Sequence, residues 1–346
     1  MPVRVERVAG AAFLAFPAMH GLLASELAGR FAYGAVVPAA TGAGQAFSGK
    51  AVRWYGDLLH CPDFSLQAES DGSFVAPYWA RTALAEPFLI HFESIGEAAA
   101  ALRGIQRNWV PYQYTCFRRA ALIQEKLPYL NLKPRPFPAD IPHSPMGLYT
   151  LIDEHTLLAG AKTTSALPAG TIQFVEDHDN PPSRAYLKVQ EALVMARHCF
   201  GVPFPGAGQK CFEAGASPGG WTWVLRQLGA DVFAVDRAEL APALMADAHV
   251  TFAAHDAFTL TPAEVCDRLR CDVADWVLSD VICYPDRLYD WIQGWLASGR
   301  ARNMICTIKM QGAIDWPLVA RFAAIPRSRV LHLNYNKHEL TWMHAN

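Results

Sequence analysis

Cys211–Trp223 reads CFEAGASPGGWTW. Five residues, Lys210 to Ala214, have the length and apolar content of a short buried strand. The glycine-rich run Gly215-Ala-Ser-Pro-Gly-Gly220 follows at once. Trp221 to Leu228 then has helical spacing, and Gly229 is placed to end that helix. A strand that turns through glycines into a helix brings free backbone N–H groups to a ligand. The run is not G-x-G-x-x-G, which disfavours a dinucleotide and with it a nicotinamide-dependent oxidoreductase. It is not a P-loop either, because Trp221 and Thr222 stand where Lys and Ser/Thr belong.

Working outward, the same alternation repeats. Strands are expected at Asp231–Val235, Val250–Ala254, Asp275–Ser279 and Asn303–Ile308. Helices are expected near Glu239–Ala246, at Arg287–Leu296 and at Asp315–Ala324. Before the loop, Ser183 is placed to N-cap a helix that carries Lys188 and runs to Cys199. At the far end, Arg329–Asn334 and Glu339–His344 are strands joined by a short turn, and so antiparallel neighbours. Alternating strands and helices predict an α/β fold with a parallel, Rossmann-like sheet. Ligands of such sheets bind at the carboxyl ends of the strands. Gly215, Asp236, Asp256, Asp280 and Lys309 stand at those ends. An aspartate at the Asp236 position can accept hydrogen bonds from ribose hydroxyls, and Asp256 can hold an adenine amino group.

The first half is less regular. Strands are expected at Ala12–Phe16 and Ala85–Glu93, and helices at His20–Phe31 and Ile95–Arg107. Leu132–Pro145 carries five prolines and cannot be regular structure. A strand pair over Leu148–Leu158 and a strand at Thr171–Val175 precede the breaker DHDNPP, Asp177–Pro182. A domain boundary is therefore placed near residue 180, with 1–180 an α+β region and 181–346 the α/β domain.

The 346 residues carry 30 Lys plus Arg against 32 Asp plus Glu, so no whole-chain charge favours nucleic acid. Any RNA contact must come from a local patch. Arg103, Arg107, Trp109, Tyr112, Tyr114, Phe117, Arg118 and Arg119 interleave cations with aromatics and are the candidate. The eight cysteines form no C-x-x-C pair, which gives no metal site and suits a reduced, cytoplasmic protein. No apolar run reaches the roughly 20 residues of a membrane span.

Four stretches carry a family resemblance: the loop AGASPGGWT, Asp280 in LSDV, Lys309 in TIKM, and Lys188 in SRAYLKVQEAL, with Glu339 following late. In their chain order, Lys188 first and Glu339 last, they resemble FtsJ-type ribose 2′-O-methyltransferases, and among them the bacterial branch that methylates cytidine ribose in large-subunit ribosomal RNA. The resemblance implies a class I methyltransferase domain using S-adenosyl-L-methionine. It implies a Lys188–Asp280–Lys309–Glu339 catalytic tetrad. It implies a donor site at Ser183, Gly215, Ser217, Pro218, Gly219, Gly220, Asp236, Asp256 and Asp280. It also implies an N-terminal RNA-binding region with a THUMP-like module, and RNA, most of all ribosomal RNA, as partner. Glu213-Ala214 departs from the Asp-Leu that the family often has there.

Lys309 is the expected general base. That role requires a neutral amine, hence a pKa lowered by desolvation and by Lys188. Two other readings stay open: methylation of a base or a protein, and an RNA-binding protein with an inactive methyltransferase domain. Ser279-Asp-Val-Ile282 does not fit the Asn/Asp-Pro-Pro-Tyr loop of base and protein-amide methylases.

Overall fold

The computed structural model describes residues 3–34, 36, 51–68, 74–144 and 146–346. The chain divides into two compact units, Met1–Pro134 with Ile141–Gln173, and Arg135–Asp140 with Phe174–Asn346.

The first unit contains β1 (Arg4–Arg7), β2 (Ala11–Ala15), α1 (His20–Phe31), β3 (Arg53–Tyr55), β4 (Leu58–Cys61), β5 (Ala80–Leu84), β6 (Phe88–His91), α2 (Ile95–Ile105), β7 (Trp109–Pro111), α3 (Phe117–Glu125), β8 (Gly147–Leu151) and β9 (Thr156–Gly160). It holds a five-stranded sheet, β1-β6-β9-β8-β7, and a four-stranded sheet, β3-β4-β2-β5. Helix α2 starts at a reciprocal cap: Ser94 Oγ accepts from Glu97 N, and Glu97 accepts from Ser94 N. Its Ala98, Ala99 and Leu102 pack with Ala120 and Ile123 of α3 and with Ile90, Trp109, Tyr149 and Leu157 of the larger sheet. Trp109 is thus core, not RNA-facing, and its Nε1 donates to Leu102 O and Gln106 O.

The second unit contains α4 (Tyr186–Phe200), β10 (Lys210–Ala214), α5 (Gly220–Gln227), β11 (Asp231–Asp236), α6 (Pro242–Met245), β12 (Val250–Ala254), α7 (Pro262–Leu269), β13 (Ala274–Ser279), α8 (Pro285–Ser298), β14 (Ala301–Lys309), α9 (Trp316–Ala323), β15 (Ser328–Leu331) and β16 (Glu339–Ala345). One seven-stranded sheet runs β12-β11-β10-β13-β14-β16-β15. It is parallel from β12 to β14, and β16 inserts antiparallel between β14 and β15. Met304–Ile308 is buried throughout, as expected of a parallel strand covered on both faces. The strand order reverses between β10 and β13, the point at whose carboxyl ends sheets of this kind take their ligands.

Three expectations are corrected. Helix α4 begins after Ala185, with no side-chain cap, so Ser183 is not its N-cap. Thr171–Val175 forms no strand, only a single bridge from Phe174 to Arg135, because two residues on each side cannot extend a ladder interrupted by prolines. The helix near Glu239 shrinks to Pro242–Met245, since Pro242 sets its first turn. The proline-rich stretch is irregular where described, and Pro145 lies outside the described residues.

Candidate active site

The glycine-rich loop is fixed at both ends. Gly215 N donates to Val235 O at 2.9 Å, and Trp221 Nε1 donates to Ala185 O at 3.0 Å. Gly219 has φ +108°, which a side chain would strain, and it forms the N-terminal end of α5. A Cβ on Gly220 would stand 2.5 Å from Ser183 Oγ and 3.2 Å from Tyr186 N, so only glycine lets α4 and α5 approach here. Ser183 Oγ is itself buried with no hydrogen-bond partner among the described residues. Ser217 N donates to Asp236 Oδ2 at 3.0 Å, and its Oγ donates to Glu239 O at 2.9 Å. Pro218 follows a cis peptide bond.

The carboxylates along the rim differ. Asp236 accepts from Ser217 N and, at 3.1 Å, from Ala238 N, leaving further lone pairs on both oxygens. Asp256 accepts from Phe258 N at 3.1 Å, and its Oδ2 takes Arg287 Nη2 at 3.1 Å. Burial opposes ionisation of Asp256, but that N–H and guanidinium hold its carboxyl below the usual range. Asp256, the residue expected to hold an adenine amino group, thus already accepts one bond on each oxygen and keeps further lone pairs.

Beyond the loop, four groups from four elements converge. Asp280 follows β13 and is held near the loop by its N–H bond to Ala214 O. Lys309 ends β14, and the antiparallel register sets it directly opposite Glu339, the first residue of β16. Lys188 reaches in from α4. Lys309 Nζ lies 2.6 Å from Asp280 Oδ1 and 2.8 Å from Glu339 Oε2. Lys188 Nζ lies 2.5 Å from Glu339 Oε1 and 3.2 Å from each Asp280 oxygen. Side-chain exposures of 9–19% shield these pairs from full solvent screening.

The electrostatics reverse one expectation. Burial lowers the Lys309 pKa, but Asp280 and Glu339 together outweigh it and raise the amine above its ordinary value. Burial likewise opposes ionisation of Glu339, and the two lysines overcome it and lower its pKa. Lys309 therefore rests as an ammonium group and Glu339 as a carboxylate.

Glu213, which the sequence reading treated only as a departure from a pattern, is fully buried beneath this rim. Its Oε2 accepts from Thr222 Oγ1 at 2.5 Å. Burial, with Asp280 and Asp236 nearby, pushes its carboxyl up to about 8. A charged residue inside the apolar strand KCFEA was the available signal. No group of three or more His, Cys, Asp or Glu able to hold a metal occurs among the described residues. No described helix is long and apolar enough to cross a membrane.

Comparison with known proteins points to the same unit. Residues 181–293 match the family described as FtsJ-like methyltransferase. The chain is 35% identical over 158 residues to a ribosomal RNA large subunit methyltransferase M of Halorhodospira halophila, covering 46% of this chain and 43% of that protein. The protein of the same name from Azoarcus is 31% identical over 176 residues, covering 51% and 44%. That of Marinobacter nauticus is 32% identical over 209 residues, covering 55% of each. The chain thus matches about half the length of these relatives. The matched segment holds the glycine-rich turn and the strands β10 to β13 of the seven-stranded sheet, so that residues 181–293 are similar to FtsJ-like methyltransferases, while β14, β15 and β16 lie beyond it.

Proposed function

We propose that the chain transfers the methyl group of S-adenosyl-L-methionine to a ribose 2′-hydroxyl of RNA, with large-subunit ribosomal RNA as the substrate. The single observation behind this reading is the gathering of Lys188, Asp280, Lys309 and Glu339 beside the Gly215–Gly220 turn. In this reading 181–346 is the catalytic domain, and 1–180, with a THUMP-like module, holds the RNA.

The residues present fit the methyl donor. The α5 N-terminus and the unpartnered Ser183 Oγ offer polar contacts at the turn, and Asp236 keeps lone pairs for ribose hydroxyls. When bound, the donor supplies an electrophilic methyl carbon on a sulfonium. The chain's own task is then to orient the hydroxyl and take its proton.

Asp280 and Glu339 hold both amines in place and can accept from the incoming hydroxyl. Lys309 can take the proton only as a neutral amine. Lys309 is an ammonium group at rest, so it must first release that proton to solvent before its amine can take the proton of the hydroxyl. Orientation of the hydroxyl for in-line displacement supplies the rest.

The test is incubation with labelled S-adenosyl-L-methionine and total RNA from a strain lacking the protein, followed by mapping of the labelled nucleotide. Label on a 2′-oxygen of large-subunit ribosomal RNA is expected. Label on a base nitrogen or carbon would overturn the reading.

A further inference from the structure

Glu191 lies three residues after Lys188 on α4 and so shares its helix face. It is fully buried, and among the described residues no cation pairs with it. Its Oε1 accepts from Asn334 N at 2.9 Å and its Oε2 from Tyr335 N at 3.0 Å. Both donors belong to the turn between β15 and β16. Burial pushes the Glu191 carboxyl up to about 7, while the two N–H groups pull it down. The next residue, Asn336, donates from Nδ2 to Glu339 O at 3.2 Å and to Thr341 Oγ1 at 3.0 Å. A continuous set of contacts therefore runs from Glu191 through the turn to Glu339.

A buried carboxylate without a cation is costly, and apolar side chains would pack a helix against a turn without that cost. What the carboxylate adds is a two-point register, with one oxygen for each of two successive N–H groups. That register sets where Glu339 begins β16 relative to Lys188 on the same helix.

We propose that Glu191 is a positioning residue for the lysine–carboxylate cluster: it fixes the β15–β16 turn on α4 and thereby sets the distances of Glu339 from Lys188 and Lys309. The proposal rests on the reading of the cluster as the catalytic site.

The test compares wild type, Glu191→Gln and Glu191→Asp in the full chain. Glutamine has the same size, keeps one acceptor and sets an amide N–H against the second donor. Being neutral, it removes the burial penalty, so folding is retained. The first readout is the Lys309 Cε resonance in lysine-labelled protein, followed against pH. Asp280 and Glu339 face that amine directly, and Lys188 and Cys283 lie close to it. In Glu191→Gln, Glu339 recedes and the neutral fraction of Lys309 at pH 10 rises about threefold. The turnover number per donor-binding site falls about tenfold with KM for RNA unchanged, because the loss of orientation outweighs the gain in neutral Lys309. Glu191→Asp falls between.

Wild-type Lys309 titration and turnover in a folded Glu191→Gln would overturn the proposal. So would failure of both variants to fold, which would make the contact a requirement of the fold alone. The resonance needs no methyl acceptor, so positioning is judged even if the wild-type chain methylates no RNA.

Discussion

In the N-terminal unit, Glu26 is buried and accepts Tyr78 N at 2.9 Å, Trp79 N at 3.1 Å and Arg30 Nη1 at 2.8 Å. Arg119 donates to Glu93 O at 2.8 Å, and Arg103 donates to Lys126 O. These charges serve backbone groups that lack secondary-structure partners. At the rim of the seven-stranded sheet, Lys188, Asp280, Lys309 and Glu339 bind chiefly one another. The strands that carry or lead to Asp280, Lys309 and Glu339 are already paired through their ladders, and Lys188 stands on α4. A charge that satisfies backbone is needed by the fold. Charges that satisfy only each other are weak contributors to stability, because desolvation offsets their attraction. Such a group persists for its chemistry. Glu191 belongs to both kinds, since it grips backbone at the edge of the reactive cluster.

The comparison breaks most sharply at Lys309. Lys309→Ala is expected to lower methyl transfer by about 10²–10⁴-fold. The affinity for S-adenosyl-L-methionine, read by calorimetry, should stay within about twofold, since Lys309 acts on the hydroxyl in the transition state and is not one of the residues proposed to hold the donor. Near-wild-type turnover would remove the distinction between the two sets of charges.

The opposite profile is expected at Glu26. Glu26→Ala leaves two backbone N–H groups unpaired in the interior and removes the carboxylate partner of the half-buried Arg30, which keeps its bond to Ala76 O. It should cost about 3 kcal/mol in denaturant unfolding of the N-terminal unit. Donor affinity should not change. A loss below about 1 kcal/mol would show that backbone capture here is dispensable.

A tenfold-per-unit effect follows from the raised Lys309 pKa. The folded value lies above the ordinary 10.5, so the neutral amine is scarce throughout the neutral range and grows with pH. The logarithm of kcat/KM, which reports the free enzyme, should rise with slope near one from about pH 7 to pH 9 without levelling. The sign for stability is separate and opposite in sense. A raised lysine pKa contributes stability that is present below the unfolded value and is lost only as pH rises through the folded one. Activity therefore climbs with pH while this contribution to stability is still intact. A plateau below pH 8 would place the base elsewhere.

The C-terminal unit was legible because its signals are local: a glycine-rich turn, strand-end acids and an alternation that topology converts into a rim. The N-terminal strands β3, β4 and β5 were not, since three to five residues carry little periodicity. Helix α7 was passed over although Thr261, Pro262 and Glu264 spell a capping box. Ser183 resembles an N-cap in sequence, but the helix starts two residues later and the hydroxyl points at Gly220 instead. Glu191 sits in an apolar-spaced helix, and nothing local reveals donors 143 residues away. The direction of the Lys309 shift needed distances: residue types show that carboxylates oppose desolvation, and only geometry shows which prevails.

The smallest effect tests the N-terminal arginines themselves. Of the interleaved stretch proposed to meet RNA, Trp109 is core, and Arg103 and Arg119 serve backbone carbonyls. Arg107, Phe117 and Arg118 are exposed. Arg103 is exposed as well but is engaged by Lys126 O, so that if the comparison holds Arg107 and Arg118 are the arginines of this stretch left to meet phosphate. Arg107→Ala with Arg118→Ala should then weaken RNA binding a few-fold and reduce the salt slope by about 2, one unit per phosphate contact. Unfolding midpoints should not move, because neither side chain is buried. Arg119→Ala should do the reverse, lowering stability with little change in the slope. An unchanged slope in the double variant would take this surface out of RNA recognition and leave the contact to other parts of the unit.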